Sequence, residues 1–191
     1  MNNQSSTKDQ STTKNQTSDF YDLSERLLNS GDAYWGNLGY WKVGDDYSAA
    51  CEGLARQLAT AVNLNQDSRI LDAGFGCGDQ LLLWLKDYNI QLLCGINYSA
   101  SQTVLAKQRL KQFEFRQFEL RQSQANTDGT HLISSENIFQ GDVADLKNGL
   151  AVVCNESDID SRKDINTILA LDCAYHFPFR KNFFNDSFQI L

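Results

Sequence analysis

The sequence predicts an α/β fold with a mainly parallel, doubly wound sheet, because short apolar runs alternate with stretches whose apolar residues recur at helical spacing. Arg69 to Ala73, Gln91 to Ile96, Asn137 to Gln140 and Ile165 to Leu171 are strand-length runs bounded by polar or glycine-containing segments. Between Tyr47 and Leu64, Ala50, Leu54, Leu58, Ala61 and Val62 mark one helical face, and Leu81 to Tyr88 forms a second helix after a glycine-rich turn. Ser99 opens a third helix that runs past Arg116, with Gln102 three residues on in the pattern of a capping box. The polar segments Ser123 to Ser135, with its Asp-Gly pair, and Asn155 to Asp164 read as loops. Asn2 to Ser18 holds no apolar residue to offset the entropy of ordering. Residues 1–18 are therefore expected to form a disordered tail, and residues 19–191 a single domain.

Composition narrows the function classes. A chain of 191 residues can bury a substantial core. Its apolar runs are far shorter than the roughly 18 to 20 residues a membrane span requires, so no span is expected. A net charge of −7 gives no footprint for nucleic acid, which is bound through phosphate neutralisation by Lys and Arg. Cys51, Cys77, Cys94, Cys154 and Cys173 are odd in number and lack C-x-x-C spacing, which fits reduced thiols in the cytoplasm. No metal site is suggested. The expected partner is a small molecule.

The chemistry concentrates in Ile70 to Asp79, Ile-Leu-Asp-Ala-Gly-Phe-Gly-Cys-Gly-Asp. Gly74, Gly76 and Gly78 let the backbone turn sharply and let a ligand approach closer than a Cβ would allow, while Asp79 is placed to cap the following helix. A dinucleotide loop would read G-x-G-x-x-G and would want an acid about 20 residues further on for the ribose. Here the spacing is G-x-G-x-G, and the next strand ends in Asn97. The acid Asp72 ahead of the glycines suits a ligand carrying an ammonium. These features point to S-adenosylmethionine, which has no phosphates and bears an amino acid at one end.

With those residues in view, the chain resembles the class I, Rossmann-like S-adenosylmethionine-dependent methyltransferases. Ile70 to Gly78 matches their first motif. Cys94 to Gln102 resembles the second-strand segment of the branch that includes cyclopropane fatty acid synthases and the tocopherol and phosphoethanolamine methyltransferases. Gly141-Asp142-Val143 resembles the adenine-holding motif, Leu169 to Phe177 the fourth-strand motif, and Tyr34 to Trp41 the aromatic segment of the same branch. The resemblance implies that Asp72 and Gly74 serve the methionine end, Asn97 the ribose hydroxyls, and Asp142 with the Val143 backbone the adenine. Asn97 replaces the commoner acid, and an amide holds hydroxyls more weakly than a carboxylate does. Asp142 could equally begin a loop as a turn-forming residue, and Asp172 either borders the cofactor or caps or terminates its strand. Gln102 either caps its helix or reaches the ligand.

Methyl transfer from a sulfonium needs alignment and dryness more than acid–base help, so the acceptor side requires few groups. His176, beside Tyr175, is either a histidine hydrogen-bonded at the end of its strand or the one placed to take a proton if the acceptor must lose one. His131 is given no role, and Cys77 is a small loop residue. Tyr34, Trp35, Tyr40 and Trp41 are either packing or a lid whose rings face the sulfonium, an attraction of about 0.5 to 2 kcal/mol. Tyr40 and Trp41 are the better candidates. Lys107, Arg109, Lys111, Arg116 and Arg121 read as a solvated helix face.

The resemblance also implies a fifth strand and a hairpin beyond Leu191, so the sheet is expected to lack its C-terminal strands. The fourth strand would then offer an edge for self-association. A small-molecule methyltransferase is the leading expectation. A cofactor-binding fragment or interaction protein without turnover is the alternative, and a nucleotide-dependent oxidoreductase ranks third.

Overall fold

A computed structural model describes residues 28–124, 135–149 and 164–191. The predicted tail, most of both predicted polar loops, His131 and Cys154 lie outside the described residues.

Helix α1 (Tyr47–Ala61) starts where the Asp46 carboxylate accepts the Ala49 N–H at 2.8 Å, satisfying one of the donors that a helix start leaves open. It buries Ala50, Cys51, Ala55 and Ala59. Strand β1 (Arg69–Ala73) leads through the glycine loop into α2 (Asp79–Asp87), and β2 (Leu92–Asn97) leads into the long α3 (Ala100–Gln124). Strands β3 (Ile138–Gln140) and β4 (Thr167–Leu169) precede the last helix, α4 (Arg180–Ile190). The Ser99 hydroxyl accepts the Gln102 N–H at 3.3 Å, so the predicted cap of α3 is present.

All strand pairs are parallel, in the order β3-β2-β1-β4, with Leu71 opposite both Cys94 and Ile168. Because strand side chains alternate between faces, Ile70, Leu93, Ile138 and Leu169 pack with α1, α2 and α3. Leu71, Cys94, Phe139 and Ile168 pack on the opposite face with Phe177 and Phe183. The sheet is thus covered on both sides, which explains why its strands read as nearly continuous apolar runs.

The chain steps outward from β1 through β2 to β3, then returns to the far side of β1 for β4. Strand order therefore reverses between β1 and β4. The predicted strand Ile165–Leu171 pairs only over Thr167–Leu169, and beyond it the chain bends at Asp172, which adopts φ +50°. Among the described residues β4 is an edge strand. No helix among them is long and apolar enough to cross a membrane.

Candidate functional site

A cleft of roughly 380 Å³ opens beyond the carboxyl ends of the strands, at the point where their order reverses. Such crevices are where open α/β sheets bind ligands. Its floor is the glycine loop with Asn97 and Gln102. One wall is Asp142 and Val143, the other is Leu171 to Cys173 and Tyr175 to Pro178, and a segment ahead of α1 supplies Tyr34 to Asn37.

The glycine loop takes its shape from close approaches. Gly74 sits at φ +79°, and a Cβ there would lie 2.8 Å from the Cys173 Sγ. That contact lets the β1 and β4 ends converge. Gly76, at φ +57°, differs: a Cβ built on it meets no heavy atom within 4 Å, although Gly76 lines the cleft. Its missing side chain leaves room that belongs to the cavity. The Gly76 N–H donates to the Asn97 Oδ1 at 3.2 Å, and the Asn97 amide donates to the Gln102 Oε1 at 2.9 Å. Asn97 therefore braces the loop from β2, and both Asn97 and Gln102 are buried.

Asp72 has a different place from the one expected. It is fully buried, does not line the cleft, and receives the Gln80 amide and the Trp84 indole N–H, each at 2.7 Å. These donors fix α2 against the end of β1. Burial pushes the carboxyl up to about 7, against the opposing pull of Trp84 and Gln80. Gly78 also faces away: it is the left-handed residue before α2, and a Cβ there would stand 3.0 Å from that of Ala106 on α3.

Asp142, Val143 and Asp172 do line the cleft. The Asp142 carboxylate accepts the Ala144 N–H at 2.9 Å and so shapes the turn that carries Val143. Asp172 accepts the Leu38 N–H at 2.6 Å, joining the end of β4 to the segment before α1. His176 and Tyr175 stand on the same wall with ring centroids 4.1 Å apart. Cys173 also lines it, but its thiol donates to the Ala73 carbonyl at 3.0 Å. Burial, then the Asp72 and Asp172 carboxylates, push it up to about 12, which keeps it a thiol rather than a nucleophile.

The aromatic expectation needs correction. Tyr40 and Trp41 are 47% and 55% exposed and do not line the cleft; Tyr34 and Trp35 do. The reason is the backbone. The Tyr40 N–H bonds the Ala50 carbonyl at 2.7 Å, and Gly39 approaches Ala50 so closely that a Cβ would lie 2.9 Å from the alanine's own. This lays the chain onto α1 and turns the Tyr40 and Trp41 rings outward.

One acid and one base, Asp79 and Arg109, hold places that the local sequence pattern does not predict. Asp79 does not cap α2; its carboxylate accepts the Tyr34 N–H at 3.1 Å and pairs with Arg109. Arg109 is accordingly no solvated residue. Its guanidinium spans both Asp79 oxygens at 2.7 Å and the Cys77 carbonyl at 2.8 Å. A charge pair split between two helices 30 positions apart leaves no periodic trace, so only the odd presence of Asp79 directly after the glycines hinted at it.

Among solved structures, the [4+2]-cyclase SpnF aligns over 92% of this chain and 55% of its own, at 19% identity and a TM-score of 0.51. The MccD protein aligns over 74% of this chain and 49% of its own, at 13% identity and the same TM-score. The chain shares with these two structures a Rossmann-like α/β fold built on a parallel sheet. No family model and no curated protein matches the chain. It spans about half the length of the solved neighbours. One of these is a cyclase, so the architecture alone does not choose the reaction.

Proposed function

We propose that the cleft binds S-adenosylmethionine and that the protein directs its methyl group to a small-molecule acceptor. The observation that carries this reading is Gly76: a backbone in the left-handed region, with open cavity where a side chain would project, on the loop that follows β1. A cleft of this volume falls within the roughly 300 to 1,000 Å³ range of small-ligand sites. Its lining combines apolar and aromatic side chains with polar ones, Asn97, Gln102, Asp142 and Asp172 among them, which suits a ligand that is part nucleoside and part amino acid.

In this reading the backbone at Gly74 and Gly76 lies along the methionine portion, Asn97 meets the ribose, and Asp142 with Val143 holds the adenine. When bound, the cofactor supplies an electrophilic methyl group on a sulfonium. Tyr34 and Trp35 present aromatic faces that attract a desolvated cation by about 0.5 to 2 kcal/mol and keep water out. Leu171, Phe177 and Pro178 orient an acceptor, and positioning of this kind is worth effective molarities of about 10⁵ M or more. His176 accepts a proton where the acceptor must lose one. Asp72 acts from behind, by fixing α2.

Calorimetric titration with S-adenosylhomocysteine tests the reading. Wild type is expected to bind. Gly76→Val, which pushes a branched side chain into the cavity from a strained backbone, is expected to abolish binding. Equal affinity in both proteins would remove the glycine loop from the site, and binding without any methylated product would favour a cofactor-binding role without turnover.

A further inference from the structure

The segment that roofs the cleft is held from outside the cavity, by Arg109. This arginine does not line the cleft, yet it touches nearly everything that shapes one end of it. It bonds the Cys77 carbonyl of the glycine loop, both oxygens of Asp79 at the start of α2, and, at 3.2 Å, the Asp32 carbonyl ahead of the roof. Its guanidinium lies 5.2 Å from the centre of the Tyr34 ring, within cation–π range. Asp79 in turn accepts the Tyr34 N–H. The arginine and carboxylate side chains are only 15% and 8% exposed, so water screens the pair poorly.

We infer that Arg109 is a positioning residue for the cofactor site, a clasp that ties the roof at Asp32 to Tyr34 onto the glycine loop and sets how long a bound ligand stays. The inference rests on the cofactor reading above and adds a residue to it. The roof has a second fastening at Asp172 and Leu38, and Tyr47 donates to the Asn37 carbonyl at 2.9 Å. Those bonds secure the end nearer α1. The end at Tyr34 depends on the Asp79 carboxylate, which only a planar, forked cation can hold by both oxygens while still reaching two carbonyls. Lysine has the charge but not the span.

The test compares wild type, Arg109→Gln, Arg109→Lys and Asp79→Asn by S-adenosylhomocysteine dissociation rate and by residue-resolved amide exchange. Breaking a largely buried, hydrogen-bonded pair is expected to speed dissociation by about tenfold or more in Arg109→Gln. The Tyr34 amide should exchange faster while the amides of β1 keep their protection, and Arg109→Lys should not restore wild-type behaviour. Dissociation within about twofold of wild type overturns the inference, as does a loss of protection shared equally by β1, or full rescue by lysine. If Arg109→Gln does not fold, Asp79→Asn, whose side chain lines the cleft, is read by exchange at Tyr34 against β1 alone; failure of both to fold makes the pair a general stabiliser and also overturns the inference. Absence of ligand binding to wild type would sink the cofactor reading alone, because exchange at Tyr34 in the free protein still decides whether Arg109 holds the roof.

Discussion

Asp72 shows how one residue's setting governs the response of the protein to pH. Its carboxyl titrates at 3.8 in an ordinary setting and, under burial, at about 7 in the folded protein. Between those values the native state holds a proton that the unfolded chain has released, so stability falls as pH rises from about 4 to about 7. The full difference amounts to about 4 kcal/mol, at roughly 1.4 kcal/mol per unit. Urea unfolding of wild type and Asp72→Asn across this range should show the variant losing most of the slope, and parallel slopes would refute the assignment. That an acid ends β1 was plain in the sequence. That Gln80 and Trp84 would take both its oxygens was not, because their donor groups point inward from a helix that otherwise reads as simply amphipathic. The same holds for Gly95. It reads as a neutral strand residue, yet a Cβ there would lie 2.7 Å from the Phe75 ring, so its absence seats the glycine loop on the sheet.

Elements were legible where a period or a cap announced them, and less so where neither did. The apolar period placed α1, and the structure adds the cap at its start, where the Asp46 carboxylate satisfies the Ala49 N–H. Asp46→Ala should cost about 1 kcal/mol, read as a lower denaturation midpoint with an unchanged slope. A change in slope would mean that the cap affects more than the helix. The strands match their apolar runs and α3 its cap at Ser99, whereas β4 is shorter than its run of apolar residues because pairing, not hydropathy, defines its ends. The segment before α1 has no period at all. Its aromatic residues were legible as a group, but which rings face the cleft is decided by the Tyr40 to Ala50 hydrogen bond and the contact at Gly39. An irregular segment takes its orientation from such long-range bonds, and these have no signature in local sequence.

At the scale of the whole molecule, the cleft is assembled from parts far apart in the chain: the roof, the glycine loop, the ends of β2 and β3, and the wall after β4. A ligand that touches all of them binds the folded state and has nothing comparable to bind in the unfolded one, so its binding energy adds to global stability. At a free concentration 100 times its dissociation constant, S-adenosylhomocysteine should add about 2.7 kcal/mol. For a chain of 191 residues that converts to a rise in Tm of roughly 5 to 10 °C. The rise should grow with ligand concentration and vanish in Gly76→Val. A shift of the same size in that variant would locate the ligand somewhere other than the glycine loop. A larger shift with a nicotinamide dinucleotide would instead assign the cleft to a phosphate-bearing cofactor. The G-x-G-x-G spacing and Asn97 argue against that outcome, since they leave neither the later glycine nor the acid such a ligand uses.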